Sequence, residues 1–443
     1  MLSREADAVL ARLEDAGHAA YAVGGCVRDL LRGAVPHDWD VTTSARPEEV
    51  MALFPGRCIP TGLPHGTVTV RENHQSIEVT TFRADGPYDD GRHPRSVTFS
   101  TRIEDDLARR DFTVNAILQD ALTGEIVDPF GGEVDLRRGI LRATPGEGFC
   151  DDPLRVLRGA QFASRFHLSP DEETLARMRT MKTDDLSPAR VLGEMKKAMA
   201  GDAPDVFFDV LRQAGALEPW FGELAALIDV PQPSCYHPEG DAYIHSMLVL
   251  HAAAQKKAQA EKPEAFVYAA LTHDLGKAIS TTRGEDGEWH ANGHENTGVP
   301  LARAMLGRLG AGKEIIAYCE NMCRLHMRAH VCYYVQVEAG RTNLLFDESV
   351  CPHDLALLAA CDTMGKGSAG GDAPKEEAFL MGRVKIYQET IAGGMPSGGM
   401  LLAGGMKPGP ELAKALGEAR RRALLGEEAQ EAVKAVLKQR KFE

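Results

Sequence analysis

The spacing of apolar residues changes character near residue 150. Before it, short helical and extended patterns alternate among frequent Gly and Thr residues, and an amphipathic helix is predicted around Val9, Leu10 and Leu13. After it, helical periodicity continues almost unbroken to about residue 228. Short apolar runs predict strands at 21–23, 38–42, 67–71, 76–82 and 97–99. The pattern indicates an α+β chain that starts with a small mixed sheet and flanking helices and continues as helices.

The remaining chain divides at two segments rich in Pro, Gly and polar residues. Residues 231–241, PQPSCYHPEGD, have the composition of a linker, and GKGSAGGDAP interrupts the helical pattern after about residue 364. The tail that follows contains a predicted helix with Arg420, Arg421 and Arg422. We therefore predict four parts, which are 1–150, 151–230, 242–365 and 376–443.

The composition fits a globular protein, since 44% of the 443 residues are hydrophobic and 26% are charged. No stretch approaches the roughly 18 consecutive apolar residues that would span a bilayer, so we expect no membrane partner. The first ten residues mix both signs of charge before any apolar run, unlike an export signal. Nine cysteines at irregular spacing favour reduced thiols and a cytoplasmic location.

The net charge of −14, from 50 basic and 64 acidic residues, argues against a nucleic-acid partner when it is taken alone. The charge is unevenly distributed, however. Residues 1–150 carry −8 and 201–400 carry −10, whereas 151–200 carry +1 and the last 43 residues carry +3. Net charge therefore does not exclude a nucleic-acid partner, but a basic track this modest would give weak non-specific binding and selectivity for shape over bulk charge.

Three carboxylates in the first part predict a metal site. Asp38 and Asp40 are two residues apart, so on a strand they would share one face. Glu78 lies on another predicted strand that could run beside the first. Because Mg²⁺ prefers carboxylate and phosphate oxygens, these residues suit a site for in-line phosphoryl transfer from a nucleoside triphosphate.

A glycine pair upstream predicts a phosphate site. Gly24 and Gly25 open a predicted helix directly after a strand, where backbone N–H groups can bind phosphate, and Arg28 lies one turn further on. Each feature alone is common in proteins. Their order and spacing together make a nucleotide site the best interpretation.

Four motifs in order carry a family resemblance. They are Gly24-Gly25-x-x-Arg28-Asp29, Asp38-x-Asp40, the run RRDFTVNA that begins at Arg109, and Asp151-Asp152-x-x-Arg155. Over about its first 220 residues the chain resembles the class II tRNA nucleotidyltransferases and bacterial poly(A) polymerases. The resemblance implies a polymerase-β-like nucleotidyltransferase head, dependence on Mg²⁺, and addition of nucleotides to an RNA 3′ end without a nucleic-acid template.

The resemblance also places RRDFTVNA against the ribose and triphosphate of the incoming nucleotide. The nucleotide-binding residues that it implies in and after this run are Arg109, Arg110, Asp111, Asn115 and Arg158. The chemistry of these residues agrees, since guanidinium groups pair with phosphates and a carboxylate accepts from a ribose hydroxyl.

Asp152 and Arg155 are three residues apart, which predicts that they share one helix face and select the base. The carboxylate would accept from an exocyclic amine while the guanidinium donates to the adjacent ring nitrogen. Cytosine and adenine offer that edge, whereas uracil and guanine would leave buried groups unpaired. Arg190 and Glu194 resemble the family's last motif, which buttresses this helix.

Two segments bear on the product. Residues 82–99 resemble the flexible loop with which CCA-adding enzymes switch from C to A, and Gly62, His65 and Gly66 stand in the CCA-type arrangement. These features favour addition of CCA to the tRNA 3′ end from CTP and ATP, by a monomer or a homodimer. A poly(A) polymerase or an A-adding enzyme is the alternative within the family. An alternative of another class is a head that only binds RNA, with the working activity in the third part.

Histidines and aspartates in the third part resemble the HD-domain phosphohydrolases, a helical domain. The metal ligands that this resemblance implies, in the family's order, are His245, His273, Asp274, His294, His326 and Asp362. Such ligands suit Mn²⁺, Ni²⁺ or Co²⁺ better than Mg²⁺ alone. The implied reaction is metal-assisted attack of water on a phosphoester, such as a 2′,3′-cyclic phosphodiester, with Lys277 helping to hold phosphate.

A zinc cluster is a competing interpretation of the same region. Its ligands would come from Cys319, Cys323, His326, His330 and Cys332. The spacing lacks the paired C-x-x-C segments of structural zinc sites, and a helix through 314–328 would bury some of the thiols.

Overall fold

The computed structural model describes residues 2–86 and 96–440 of the chain. Contacts divide it into two compact units, one of residues 1–198 and 206–219 and one of residues 199–205 and 220–443. The loop predicted at 82–99 includes 87–95, which lie outside the described residues. The four predicted parts remain predictions.

A mixed sheet forms the centre of the first unit. The strands of this part are β1 Ala20–Val23, β2 Trp39–Thr43, β3 Cys58–Gly62, β4 Thr67–Glu72, β5 Gln75–Thr81, β6 Arg83–Asp85, β7 Val97–Phe99, β8 Leu118–Asp120 and β9 Ile126–Val127. Seven of them pair in the order β3-β4-β5-β2-β1-β8-β9, and β6 pairs with β7 apart from this sheet. Only the β2–β5 pairing within the seven-stranded sheet is parallel.

Helix α1 (Arg4–Asp15) covers one face of this sheet. It begins after Ser3, whose side chain accepts a hydrogen bond from the backbone N–H of Ala6. The apolar positions of α1 recur at helical spacing, and the buried ones are Ala6, Val9, Leu10 and Leu13. They share one apolar cluster with strand residues such as Val41 and Val79, so the predicted amphipathic helix is confirmed.

The other elements of the first unit are mostly short helices, and they become longer after residue 150. They are α2 Gly25–Leu31, α3 Pro47–Leu53, α4 Ile103–Ala108, α5 Gly132–Arg138, the strands β10 Ile140–Leu141 and β11 Ser169–Pro170, α6 Leu154–Phe166, α7 Glu172–Arg179, α8 Pro188–Met199 and α9 Pro204–Gln213. Helix α2 follows β1 directly, as the glycine pair predicts.

The second unit is helical apart from one short hairpin. Its elements are α10 Gly222–Ala225, α11 Ala242–Lys256, α12 Pro263–Thr272, α13 Lys277–Ser280, β12 Thr282–Arg283, β13 Trp289–His290, α14 His294–Arg308, α15 Lys313–Tyr334, α16 Ala339–Glu348, α17 Pro352–Gly365, α18 Ala373–Ala392, α19 Gly398–Ala403, α20 Pro410–Leu424 and α21 Ala429–Gln439. The last three helices share a small apolar cluster that includes Leu401, Ala419 and Val436. Within the described ranges, no helix has the length and apolar character needed to cross a membrane.

The predicted fold class is confirmed, because a mixed sheet with helices is followed by a mainly helical remainder. One detail of the prediction is wrong, since strand β2 begins at Trp39 and not at Asp38. Residues 231–241, predicted as a linker, form an irregular segment before α11 in the second unit, where Glu239 accepts a hydrogen bond from His245.

Candidate functional sites

The structure brings two of the predicted catalytic carboxylates together. Asp40 of β2 and Glu78 of β5 are partners in the parallel register. Residues opposite each other on neighbouring strands project from the same face of a sheet, so both carboxylates face one region. Thr69 of β4 is the next partner of Glu78 along the same row.

Asp38 has a different setting from the predicted one. It precedes β2, its side chain is 88% exposed, and it contacts Nδ1 of His37 at 3.1 Å. The extended pairing starts one residue later than predicted, at Trp39, so Asp38 lies just before the strand that carries Asp40. The charge of Asp38 still acts on Asp40.

The electrostatics of Asp40 are those of a residue in a carboxylate cluster. Burial raises its pKa to about 6, and the charges of Glu78 and Asp38 raise it as well, while Arg110 and Arg28 lower it. A divalent cation would relieve this repulsion, and carboxylate oxygens are the ligands that Mg²⁺ prefers. The donor set therefore fits a divalent metal.

The glycine pair lies against the arginines of RRDFTVNA. Gly24 has a φ of 76°, and a Cβ at this position would lie 3.0 Å from NH1 of Arg110 and 3.4 Å from the carbonyl oxygen of Asn115. Arg110 NH1 itself donates to that carbonyl at 3.4 Å. Only glycine combines this conformation with so close an approach. Gly25 follows as the first residue of α2.

Arg28 and Asn115 belong to a buried polar network around Asp111. Arg28 NH1 donates to Oδ1 of Asn115 at 2.5 Å, and Asn115 Nδ2 donates to Oδ1 of Asp111 at 2.9 Å. Arg158 donates through Nε and NH2 to the other oxygen of Asp111 at 2.8 and 2.7 Å. Burial alone would raise the pKa of Asp111, but Arg158 and Asn115 lower it to about 2. This residue is therefore ionised and held rigidly.

Asp106, which the sequence analysis missed, anchors both arginines of RRDFTVNA. Its Oδ1 accepts from Nε and NH2 of Arg109 at 3.0 and 2.6 Å, and its Oδ2 accepts from NH2 of Arg110 at 3.2 Å. Thr42, two residues after Asp40, donates to Oδ2 at 3.1 Å. Asp106 is 0% exposed. Asp106 lies three and four residues before the two arginines. This spacing, which brings side chains together in helical segments, could have predicted the contacts.

The predicted base-selecting pair lies at the start of α6. The helix begins at Leu154, so Asp152 precedes it and the helix-face argument for Asp152 and Arg155 is wrong. Asp152 accepts from the backbone N–H of Leu154 at 2.9 Å and from NH2 of Arg190 at 3.0 and 2.9 Å. Arg155 donates to the carbonyl oxygens of Gly148 and Arg109 at 2.5 and 2.6 Å.

The second unit brings all six implied HD ligands to one buried centre. Asp274, just after α12, lies in the middle. Its Oδ1 is 3.1 Å from Nε2 of His294 and 3.5 Å from Nε2 of His326, at the start of α14 and within α15. Its Oδ2 is 3.2 Å from Nε2 of His273 and 3.5 Å from Nε2 of His245. Asp362 of α17 completes the set through Oδ1, 3.0 Å from Nε2 of His245.

Backbone contacts orient the imidazole rings toward this centre. Nδ1 of His273, His294 and His326 each donates to the carbonyl oxygen three residues earlier, at 2.8, 2.7 and 2.6 Å. A carbonyl oxygen can only accept, so each of these rings carries a proton on Nδ1 and directs Nε2 toward Asp274. Metal-binding histidines have this arrangement.

The buried polar atoms of the centre fit a metal site. His273 Nε2 and both carboxylate oxygens of Asp274 are buried and, among the described residues, form no hydrogen bond of normal geometry. The ligand atoms form two close groups that share Asp274, one with His245 and His273 and one with His294 and His326. Nitrogen and oxygen donors in such groups are ligands that would suit a divalent cation.

A cavity of about 650 Å³ adjoins this centre. Asp274, His294 and Asp362 contribute to its wall. Two lysines also line it, Lys277 and Lys366, and Nζ of Lys277 lies 2.6 Å from Oδ2 of Asp274. Burial would raise the pKa of Asp274, but His273 and Lys277 hold it well below its usual range. The wall of the cavity therefore contains both acidic residues of the implied metal site and lysines suited to binding phosphate.

Gly276 sets the separation between two ligand-bearing segments. A Cβ at this position would overlap the carbonyl oxygen of His294 and would lie 2.6 Å from the backbone nitrogen of Gly298. The turn after His273-Asp274 therefore packs backbone against backbone on α14.

Four further polar residues lie beside the centre and were not predicted as part of the HD site. They are His237, Glu239, His330 and Glu376, of which His237 and Glu239 belong to the segment first interpreted as a linker. Glu239 Oε1 accepts from Nδ1 of His245 at 2.8 Å and contacts Nδ1 of His237 at 2.8 Å. The His-Pro-Glu sequence, six residues before a ligand histidine, was the available signal.

The alternative zinc cluster has no support in the geometry. The close ligand groups found among the described residues contain no cysteine. Cys319 and Cys323 are buried in the apolar core, and burial raises the pKa of the Cys319 thiol to about 12. Cys323 donates to the carbonyl oxygen of His273 at 3.2 Å. These thiols stay protonated and are poor metal ligands.

Comparison with known proteins gives three family matches along the chain. The poly A polymerase head domain matches residues 20–142, the probable RNA and SrmB-binding site of polymerase A matches 167–228, and the HD domain matches 242–363. The multifunctional CCA protein of Nitrosococcus oceani is 36% identical over 369 residues, which cover 79% of this chain and 85% of that protein. The multifunctional CCA protein of Pasteurella multocida is 36% identical over 388 residues, or 84% and 89% of the two chains.

The fold has neighbours among solved structures. The Bacillus stearothermophilus CCA-adding enzyme in complex with CTP has a TM-score of 0.64 and 26% identity, with 99% of this chain and 98% of that chain covered. The Thermotoga maritima CCA-adding enzyme complexed with tRNA has a TM-score of 0.62 at 18% identity, covering 98% and 94%, and supports the fold alone. Together with the two sites described above, these matches show that the chain belongs to the family of multifunctional CCA proteins.

Proposed function

We propose that this chain builds and repairs the 3′-terminal CCA of tRNA from CTP and ATP, without a nucleic-acid template and with release of pyrophosphate. The observation that carries the proposal is the register of Asp40 and Glu78, beside the arginines of RRDFTVNA, in a chain of this family. Acidic residues on one sheet face next to guanidinium groups are the parts that nucleotidyl transfer requires.

Asp38, Asp40 and Glu78 would hold Mg²⁺. When bound, Mg²⁺ would supply electrostatic stabilisation of the charge that develops on the triphosphate. Asp40, whose pKa is raised to about 6, could accept the proton of the primer 3′ hydroxyl.

Triphosphate and ribose would lie against the network of Arg110, Asn115 and Asp111. The N–H groups of Gly24 and Gly25 and the guanidinium groups of Arg28, Arg109 and Arg110 would hold phosphate oxygens. Asp111 would accept from a ribose hydroxyl, while Arg158 keeps it ionised and oriented.

Asp152 and Arg155 would select the base. Both now bind other protein groups, Arg190 in one case and two carbonyl oxygens in the other. To pair with a base, Asp152 and Arg155 must therefore give up these protein contacts. C or A would offer hydrogen bonds that replace the lost contacts, whereas U or G would leave some of them unreplaced.

The product tests this proposal. The protein is incubated with CTP and ATP and one of three RNAs: tRNA that ends before the first C, tRNA that ends in CC, or an unstructured RNA. We expect addition of CCA to the first and of one A to the second. Addition of A alone to tRNA ending in CC, with none to the first substrate, would identify an A-adding enzyme. A long A tail on the unstructured RNA would identify a poly(A) polymerase.

The HD centre supports a second activity. We infer that it hydrolyses phosphoesters at RNA ends, such as a 2′,3′-cyclic phosphodiester or a phosphomonoester, with Mn²⁺, Ni²⁺ or Co²⁺. The support is the convergence of His245, His273, Asp274, His294, His326 and Asp362 beside a cavity with two lysines. When bound, the metal would supply a nucleophilic water at neutral pH. Lys277 and Lys366 would hold the phosphate.

A cyclic nucleotide separates this activity from nucleotidyl transfer. We expect hydrolysis of 2′,3′-cyclic AMP in Mn²⁺ to be lost in the double variant His273→Ala, Asp274→Ala and retained in Asp40→Asn. If the wild type hydrolyses the cyclic nucleotide but does not incorporate CMP, the head does not transfer nucleotides and only the HD activity remains. We also propose that the protein is cytoplasmic and is a monomer or a homodimer. Light scattering of the purified protein distinguishes a monomer from a homodimer.

A further inference from the structure

The carboxylate of Asp362 is divided between two partners. Its Oδ1 lies 3.0 Å from Nε2 of His245, on the side of the HD centre. Its Oδ2 lies 2.5 Å from Nε2 of His330, four residues after His326 on α15. Oδ1 thus faces the implied metal ligands, while Oδ2 is held by the hydrogen bond with His330. A carboxylate fixed at one oxygen cannot rotate away from the ligands that the other oxygen faces.

His330 is held in turn by a buried glutamate from a different helix. Its Nδ1 lies 2.7 Å from Oε1 of Glu376, on α18. The second oxygen of Glu376 accepts from Oγ1 of Thr363 at 2.6 Å, so both of its oxygens are engaged. Glu376 is 0% exposed and His330 is 3% exposed. A charged group so deeply buried is stable only with fixed partners, so this contact is well defined.

Glu376 lies beyond the end of the HD match at residue 363. The sequence analysis placed residues from 376 onward in a separate tail. The contact with His330 instead connects α18 to the ligand Asp362 through a single side chain.

We propose that His330 and Glu376 are positioning residues of the HD centre and that α18 is an integral part of this metal site. This inference rests on the proposed phosphohydrolase function. The chain Glu376–His330–Asp362 fixes the direction of the Asp362 carboxylate toward the other ligands. Partners of this kind typically contribute a factor of about 10 to 100 in metal affinity or activity.

The adjacent residue Glu377 provides a matched control. It is on the same helix and is also a glutamate. Its carboxylate pairs with Nζ of Lys256 at 2.6 Å, and neither residue is among the implied metal ligands. Glu376→Gln keeps the size of the side chain but loses its charge. Glu377→Gln makes the same chemical change one residue further on.

The test measures Mn²⁺ binding to the full chain by calorimetry after treatment with chelator, together with hydrolysis of 2′,3′-cyclic AMP at increasing Mn²⁺. We expect Glu376→Gln and His330→Gln to weaken Mn²⁺ binding by about 10- to 100-fold, with hydrolysis partly recovered at high Mn²⁺. Glu377→Gln should bind Mn²⁺ like the wild type. Thermal unfolding in chelator identifies any variant that is simply less stable.

The outcomes separate this inference from the function on which it rests. If the wild type neither binds Mn²⁺ nor hydrolyses the substrate, the proposed hydrolase is wrong. If the wild type does both and folded Glu376→Gln binds Mn²⁺ with unchanged affinity, the positioning role is wrong. Should Glu376→Gln fail to fold, Thr363→Val, which removes only the hydroxyl contact to Glu376, is expected to weaken Mn²⁺ binding a few-fold. Unchanged affinity in that variant would equally overturn the inference.

Discussion

Asp40 and Glu78 are directly opposite each other in the one parallel pairing of the seven-stranded sheet, although 38 positions separate them in the chain. Parallel pairing requires a long connection, and here α3, β3 and β4 lie between the two strands. The acidic face that we propose for the metal is therefore a product of sheet topology, since neither strand carries it alone.

Loss of either carboxylate should abolish nucleotidyl transfer. We expect Asp40→Asn and Glu78→Gln to lower the rate of CMP incorporation by at least about 100-fold, because each change removes a charge from the metal-binding face. Radiolabelled CTP and tRNA lacking CCA provide the measurement. Glu48→Gln, which changes an exposed glutamate of α3, should leave the rate unchanged. A rate near that of the wild type in Asp40→Asn would show that the metal assignment is wrong.

Asp106 should control nucleotide affinity through two arginines. Asp106→Asn removes the charge that Arg109 and Arg110 share, so we expect the KM for CTP and for ATP to rise about tenfold or more. Steady-state kinetics at fixed tRNA measure this effect. Glu104→Gln, on the same helix but exposed, is the control. A lower thermal midpoint with unchanged KM values would mean that Asp106 only stabilises the fold.

Arg155 should determine which bases are accepted. Arg155→Gln replaces the guanidinium with a shorter, neutral amide that would not reach the ring nitrogen of C or A, so discrimination against UTP should fall by about 10- to 100-fold in kcat/KM. The experiment compares the incorporation of CMP from CTP and of UMP from UTP at the 3′ end of the same tRNA. Arg179→Gln changes an arginine on α7 and should keep the wild-type preference. If Arg155→Gln also keeps that preference, these two side chains do not read the base.

Metal should stabilise the second unit. Asp274 is buried among imidazole rings, so binding of a divalent cation to the folded state alone should raise the unfolding free energy. At 100 times the dissociation constant the gain is about 2.7 kcal/mol. Thermal unfolding with chelator and with added Mn²⁺ measures it. Asp274→Asn should show little or no Mn²⁺-dependent shift, and an equal shift in that variant would place the metal elsewhere.

The Asp111–Arg158 pair should stabilise the protein most at neutral pH. The pKa of Asp111 is about 2 in the folded state and about 3.9 in an unfolded chain. A lowered pKa contributes stability above pH 3.9, and this contribution is lost as the pH falls toward 2. The difference in urea midpoint between the wild type and Arg158→Met should therefore be largest near pH 7 and shrink below pH 4. A difference that does not change with pH would contradict this assignment.

Much of the two sites follows from sequence because local motifs define it. The HD ligands are spread over 118 positions, yet each lies in a recognisable segment, and the structure brings all of them together. The pairing of Asp40 with Glu78 was also predictable, since both lie in short apolar runs typical of neighbouring strands.

The errors concern the ends of elements and contacts that depend on tertiary structure. Asp38 and Asp152 each lie just outside the element that was predicted to present them, because periodicity does not determine where a strand or helix begins. Glu376 becomes part of the HD centre only when α18 packs against helices distant in sequence. A glutamate in such a helix has no local pattern that distinguishes it from one on an ordinary helix surface.

The backbone contact at Gly276 gives a way to obtain the nucleotidyltransferase without the hydrolase. A methyl group at this position would clash with the backbone of α14, push the turn and the helix apart, and move the His294 ring away from Asp274. No ligand, charge or hydrogen-bonding group would be altered. Gly276→Ala would thus silence the hydrolase by geometry alone, whereas a changed ligand would also leave an unpaired buried charge.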